Sequence, residues 1–173
     1  MDTEELTLDL VKETDPILST PVRAWSDSLG IDKKTLVTEM LSYMIIKGGI
    51  GLAAPQIGLD LAVFVMGTAE DSLALFNPRI VSVGKDNVVV QEGCLSFPGL
   101  YLNVKRPSTV VVQYEDIEGK TQQKELKGLM ARVFLHEYDH LMGICFTGRV
   151  ANLSLKLAQG RRAKNLKIGR AHV

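Results

Sequence analysis

The sequence predicts an α+β domain in which small antiparallel sheets pack around a central helix that carries a His-Glu-x-x-His sequence. Apolar residues recur at helical spacing towards both ends of the chain, whereas short β-rich runs separated by turn residues fill the middle. The strands and helices do not alternate as β-α-β units, which argues against a mainly parallel α/β sheet. A chain of 173 residues is the size of one domain, so we expect a single domain over 1–173.

The composition is that of a globular protein, with 46% hydrophobic and 23% charged residues. No apolar run approaches the length of a membrane span, so no membrane partner is expected. The first ten residues are acidic, which is the wrong charge for a signal or transit peptide. We therefore expect a cytoplasmic protein whose two cysteines are free thiols.

The first predicted helix runs from Lys33 to Lys47. Asp32 before it is a suitable N-cap, and Gly48-Gly49 ends it. The apolar face of this helix is formed by residues at helical spacing, namely Leu36, Val37, Met40, Leu41, Met44 and Ile45.

Short strands are predicted next, over Leu61 to Met66, Leu73 to Phe76, Ile80 to Val83 and Val88 to Gln91. Asn77-Pro78 is expected to stop the second of these strands. Two more strands, Thr109 to Tyr114 and Thr121 to Leu126, flank the turn residues Asp116-Ile117-Glu118-Gly119 and predict a hairpin.

Two further helices are predicted towards the C-terminus. The first, Leu129 to Met142, follows Gly128, and the second is a basic helix over Leu153 to Lys167 that Gly160 weakens. The second lies in a tail, 149–173, that holds seven Lys and Arg residues and no acid, whereas 1–15 holds six acids against Lys12. A block of one sign is either a solvated face or a contact for an anionic partner such as RNA.

The predicted central helix carries His136-Glu137-Tyr138-Asp139-His140. Histidines four residues apart lie on one face of a helix, so both imidazoles can bind one metal while Glu137 faces a water on that metal. A zinc endopeptidase with this motif takes its third ligand from a downstream Glu or His. Here no Asp or Glu follows Asp139, Phe146 stands where that His would be, and His172 is next to the C-terminus. The third ligand must therefore be sought upstream.

Two thiols compete for the third ligand position. Cys145 lies in a short apolar segment after the metal-binding helix, where a small buried hydrophobe is expected. Cys94 follows a strand in a segment bounded by Gly and Pro, which predicts a tight, exposed bend. A thiolate with two imidazoles would leave the fourth tetrahedral position for water. Because a lone cysteine is more often buried and inert, spacing alone leaves the inert alternative open.

A third segment, Gly49 to Gly58, combines small residues with Gln56. One interpretation is a helix C-cap followed by a packed apolar bend. The other is a wall along which a substrate backbone lies while Gln56 donates to an oxyanion. This segment alone does not decide between them.

Together, the segments Gly49 to Gln56, Glu92 to Ser96 and His136 to Leu141 resemble the three motifs of the peptide deformylases, written GxGxAAxQ, EGCxS and HExxH. The resemblance implies a metal-dependent amidohydrolase that removes the formyl group from N-formylmethionine of newly made polypeptides and releases formate. It further implies that Cys94, His136 and His140 bind one divalent metal per chain and that Glu137 is the catalytic acid/base. The family metal is usually Fe²⁺, which Zn²⁺, Ni²⁺ or Co²⁺ can replace, although spacing here does not select iron.

The resemblance also implies how the oxyanion and the ligands are supported. The backbone N–H of Leu95 and the side-chain amide of Gln56 hold the oxyanion, and Glu92 and Arg106 form a supporting ion pair. An unpaired surface arginine is the alternative for Arg106.

By the same resemblance, Ile50, Leu129 and Val133 form a pocket for the methionine side chain, while Gly51 and Gly93 pair with the peptide backbone. Plain core packing is an equal alternative for Leu129 and Val133.

One residue departs from the family pattern, since Leu135 replaces the Gln that usually precedes the third motif. The tail 149–173 resembles the basic extension by which some deformylases dock on the ribosome, so formyl-methionyl nascent chains and the ribosome are the expected partners. A zinc endopeptidase and a non-catalytic, metal-stabilised binding protein are the alternatives. A purely structural site would have no need of Glu137, which argues against the second.

Overall fold

The computed structural model describes residues 8–170, and the side chains of 8–167. Residues 1–7 of the acidic segment and 171–173 of the basic tail, with His172, lie outside the described part.

A five-stranded antiparallel sheet forms one layer of the fold. Its strands are β1 (Gly51–Ala53), β2 (Val63–Gly67), β3 (Ser72–Val83), β6 (Thr109–Glu115) and β7 (Thr121–Lys127), in that spatial order. A second sheet pairs β4 (Asn87–Glu92) with β5 (Leu102–Pro107), also antiparallel. Gly51, in β1, therefore lies on an edge strand.

The described residues form three α-helices: α1 (Lys33–Ile46), α2 (Gly128–Leu141) and α3 (Asn152–Arg170). Short 3₁₀ helices occur at Pro16–Ser19, Asp27–Leu29, Ala54–Ile57 and Phe146–Arg149. The predicted α+β class with antiparallel sheets is confirmed. None of the described helices is both long and apolar enough to span a membrane.

Helix α1 follows the prediction closely. The Asp32 side chain accepts a hydrogen bond from the Thr35 backbone N–H at 2.7 Å, which caps the helix. Its apolar face is buried at Leu36, Val37, Met40 and Met44, whereas Ile45 is exposed.

The predicted break at Asn77-Pro78 is wrong, because β3 runs through both residues. Asn77 has φ 46°, and the register of β3 against β6 shifts between Phe76 and Arg79. The Asn77 side chain accepts from the Trp25 N–H at 2.7 Å and donates to the Trp25 carbonyl. A bulge held by these bonds accommodates a proline that would otherwise end the ladder.

Helix α2 contacts strands of both sheets. Its Phe134 ring meets the Phe64 ring of β2 edge-on, with centroids 5.4 Å apart. This face joins a core of side chains from β2, β3, β6 and β7. The opposite side of α2 meets β4 and β5, because Arg132 donates to the Val88 and Val104 carbonyls and His136 pairs with Glu92.

Gly143, just after the end of α2, has a backbone conformation and close contacts that favour glycine. It has φ +70°, and a Cβ there would lie 2.7 Å from the Thr20 carbonyl carbon. We expect Gly143→Ala to lower the free energy of unfolding by at least about 1–2 kcal/mol, the usual strain of a side chain in this conformation. Gly148→Ala, where the space is open, is the matched control in urea unfolding. Equal stability of the two variants would contradict this account.

Candidate active site

Helix α2 brings two imidazoles to one point. His136 and His140 lie four residues apart with ring centroids 5.2 Å from each other, and both are buried. The spacing of the motif thus places both rings on one helix face, as predicted.

Cys94 is the thiol that joins them. It follows the end of β4, and its Sγ lies 3.3 Å from His140 Nε2. The ligand atoms of Cys94, His136 and His140 all lie within 4.8 Å of one another. One soft thiolate and two imidazoles form a donor set that suits a divalent transition metal.

Cys145 is not part of this group of ligand atoms. Its Sγ donates to the Leu18 carbonyl at 3.6 Å. Burial raises the pKa of the Cys145 thiol to about 11, which disfavours the thiolate.

Glu92 links the cluster to its surroundings. Its carboxylate accepts from Arg106 Nε at 2.6 Å, from Arg132 at 2.7 Å and from His136 Nδ1 at 3.0 Å. Burial alone would raise the pKa of Glu92, but the hydrogen bonds from His136 and Arg106 outweigh it and lower that pKa to about 2. Because Nδ1 of His136 is engaged, its Nε2 is the nitrogen left for a metal.

A second carboxylate extends this charge network. Asp139, inside the third motif, accepts from Arg106 at 2.9 Å and from Arg149 Nε at 2.9 Å. Arg106 is therefore a buried, doubly paired cation rather than an unpaired surface residue.

Glu137 is buried beside the ligands. Its Oε2 has no hydrogen-bond partner among the described residues. Burial raises the pKa of Glu137 to about 7, so the carboxyl can both accept and return a proton near neutral pH. Gly51 makes room for it, because a Cβ there would overlap Glu137 Oε1.

Gln56 connects the first motif to the second. Its Oε1 accepts from the Ala53 N–H at 2.8 Å, and its Nε2 donates to Ser96 Oγ at 3.0 Å and approaches Cys94 Sγ at 3.5 Å. The Gly49 to Gln56 segment is therefore not a packed bend, since it contains β1 and the start of a 3₁₀ helix, and its Gln56 supports the cysteine loop, residues 93–101.

A cavity of about 450 Å³ opens onto this cluster. Its walls include all five residues predicted to bind substrate, Ile50, Gly51, Gly93, Leu129 and Val133, together with Leu95. Leu129 is 63% exposed and lies at the mouth, whereas Val133 is buried and also belongs to the core. Core packing therefore does not account for Leu129.

Comparison with known proteins agrees with the three motifs. Residues 7–156 match the family model of polypeptide deformylase. The chain belongs to the peptide deformylase family.

Relatives of this family come from several groups of organisms. A peptide deformylase of Microchaete diplosiphon is 44% identical over 131 residues, which are 73% of this chain and 70% of the relative. The rice chloroplastic peptide deformylase 1B is 40% identical over 152 residues, 83% of this chain, but the chain spans only 55% of its length.

Solved deformylase structures share the fold. The peptide deformylase of Synechococcus elongatus, in complex with actinonin, has a TM-score of 0.83 at 38% identity, covering 94% of this chain and 90% of that one. The Plasmodium falciparum peptide deformylase has a TM-score of 0.82 at 32% identity, covering 94% and 98%.

Several residues of this deformylase site were not predicted, namely Ser96, Tyr101, Arg132, Asp139 and Arg149. Tyr101 lies over Gly93, where a Cβ would come within 3.0 Å of its ring. Arg132 carried a usable signal, since a charged residue one turn before His136 interrupts an apolar helix face. The partners of Asp139 and Arg149 depend on tertiary packing that no local pattern encodes.

The Glu92 cluster makes a stability prediction. Glu92→Gln leaves Arg106 and Arg132 without their shared anion, and we expect a loss of about 3–5 kcal/mol in metal-free urea unfolding at pH 7. The folded-state pKa of Glu92 lies at about 2, below its ordinary value of 4.5. Its contribution is therefore complete above about pH 5 and is lost as the pH falls towards 2.

The difference in unfolding free energy between the parent and Glu92→Gln should accordingly narrow as the pH falls below about 5. Glu118→Gln, in the exposed hairpin turn, is the control and should stay within about 0.5 kcal/mol of the parent. If the difference in unfolding free energy between the parent and Glu92→Gln stays constant over this pH range, the ionised Glu92 carboxylate is not the source of the stabilisation.

Proposed function

We propose that this chain hydrolyses the N-formyl group of N-formylmethionine on newly made polypeptides, releasing formate and a free amino terminus. One observation carries the proposal: three segments far apart in sequence line one cavity, which reaches Cys94 and His136 of a Cys-His-His cluster and the buried Glu137. Zinc endopeptidases with this motif take their third ligand from downstream of the second histidine, whereas here the upstream Cys94 joins the two histidines, which favours a deformylase over an endopeptidase.

Cys94, His136 and His140 would hold one divalent metal, for which Fe²⁺ is the expected ion and Zn²⁺, Ni²⁺ or Co²⁺ are substitutes. When bound, such a cation polarises a carbonyl oxygen and lowers the pKa of water. Burial lowers the pKa of His140, so its imidazole is neutral and its lone pair is free to bind.

Glu137 would move the proton. A carboxyl with a pKa of about 7 accepts a proton from the attacking water and then returns it to the departing amine nitrogen. Its position beside the ligand atoms, at the wall of the cavity, supports this role, because a general base must lie within reach of the proton that it accepts.

Leu95 and Gln56 would stabilise the oxyanion on the formyl carbon, through a backbone N–H and a side-chain amide. Gln56 Nε2 donates to Ser96 and approaches Cys94. One of its two hydrogens would therefore turn from the thiol towards the oxyanion during the reaction.

The peptide would lie along the free edge of β1, with Gly51 and Gly93 pairing with its backbone. Ile50, Leu129 and Val133 would receive the methionine side chain. The cavity has the volume expected for a small ligand, and we expect actinonin, which occupies the Synechococcus elongatus relative, to bind here.

The ribosome is the proposed partner of the basic tail. Helix α3 exposes Lys156, Arg161, Lys164 and Lys167, a charge distribution that suits an anionic surface. A cytoplasmic location also stays a proposal, since the rice relative is a chloroplastic protein.

Formate release tests the reaction and Glu137 together. The iron-loaded, oxygen-protected protein should release formate from a formyl-Met peptide, and Glu137→Ala should keep its metal but lose at least about 100-fold in rate. Glu118→Ala, in the exposed turn, is the control. Absence of formate from the loaded parent would overturn the reaction, and near-normal turnover of Glu137→Ala would overturn the role of the base.

Metal content tests the choice of thiol. Cys94→Ala should lose bound metal because one of three ligands is gone, whereas Cys145→Ala should keep the parent amount. Elemental analysis of both variants after dialysis measures this. If both variants retain the same amount of metal, the choice of Cys94 over Cys145 as the thiol ligand is wrong.

A further inference from the structure

Arg132 connects α2 to both strands of the two-stranded sheet. Its NH1 donates to the Val104 carbonyl of β5 at 2.9 Å and to Glu92 Oε1 at 2.7 Å. Its NH2 donates to the Val88 carbonyl of β4 at 2.7 Å. One buried guanidinium therefore holds two strands and a carboxylate.

Arg132 lies on the same helix as the two proposed histidine ligands. Arg132, His136 and His140 are each four residues apart, so they lie along one face of α2. Glu92 ends β4 only two residues before Cys94, and its Oε2 accepts from His136 Nδ1. Arg132 thus bridges the strand that delivers the thiol and the helix that delivers the imidazoles.

A guanidinium is suited to this bridge by its geometry. Its five N–H donors are fixed in a plane, which allows one side chain to satisfy three acceptors in different directions. A lysine at the same position would keep the positive charge beside Glu92 but could not hold all three acceptors in this arrangement. The neighbouring Arg106 does not replace it, since its contacts are to Glu92 and Asp139.

We propose that Arg132 is a positioning residue for the metal centre, setting the separation between the Cys94 thiol and the two imidazoles by tying β4 and β5 to α2. This inference rests on the proposed ligand set. Arg132 has no part in the chemistry itself, and its effect reaches the metal through Glu92, His136 and the Cys94 loop.

The test uses the full chain loaded with Co²⁺, whose visible and thiolate charge-transfer bands report ligand geometry. Arg132→Met should bind Co²⁺ about 10- to 100-fold more weakly than the parent in competition with a chelator, the usual effect of losing a partner that orients metal ligands. Its bands should also shift. Arg132→Lys should fall between the two, and Arg79→Met, which removes an exposed arginine of β3, should match the parent.

The outcomes separate the two proposals. A parent without a thiolate-to-cobalt band would overturn the ligand set itself. Parent-like affinity and bands in folded Arg132→Met would overturn the positioning role, even if the melting temperature falls, because lost stability alone leaves the folded geometry unchanged. If Arg132→Met does not fold, the same two measurements on Arg132→Lys decide: weaker binding with shifted bands supports the role, and parent values overturn it.

Discussion

The buried carboxylate of Glu92 is the constraint on which the rest of the site depends. A charge removed from water is tolerated only when it is paired and hydrogen-bonded, and Glu92 meets this condition with two guanidiniums and one imidazole. These partners come from β5 and α2, while Glu92 itself ends β4. The need to neutralise one carboxylate therefore fixes three elements relative to each other, and two of them deliver metal ligands.

The close approach of the three motifs to one another is the second constraint, and it explains the glycines of the first motif. Gly49 faces the Leu95 side chain, which a Cβ would approach to 2.7 Å, and Gly51 faces the Glu137 carboxyl. A larger side chain at either position would displace a residue of another motif. The three motifs are thus complementary in shape as well as in chemistry, which is why a match to all three together says far more than HExxH alone.

The local sequence pattern was enough to predict α1, from its apolar spacing, and the β6–β7 hairpin, from the turn residues Asp116 to Gly119. It failed at Asn77, where side-chain bonds to Trp25 carry the strand through a proline. It also missed β5, whose alternating pattern is disguised by Arg106, a charged residue at an inward position. Charge pairing across the fold cannot be read from neighbours in sequence. For the same reason, spacing left Cys94 and Cys145 both open, and only the resemblance and then the folded contacts separated them.

The basic tail divides into two parts with different surroundings. The inner face of α3, with Leu155 and Ala158, packs on a core that includes Leu100 and Phe97 of the cysteine loop. Arg162 also pairs with Glu13 at 2.8 Å. Beyond Arg162, no side chain of the described part, 163–167, is buried. An anionic partner such as the ribosome would therefore meet the outer face of α3, where Lys156, Arg161, Lys164 and Lys167 are exposed, while the inner face supports the Cys94 loop. One helix of the tail thus packs on the body of the enzyme through its inner face and exposes its basic residues on the other face.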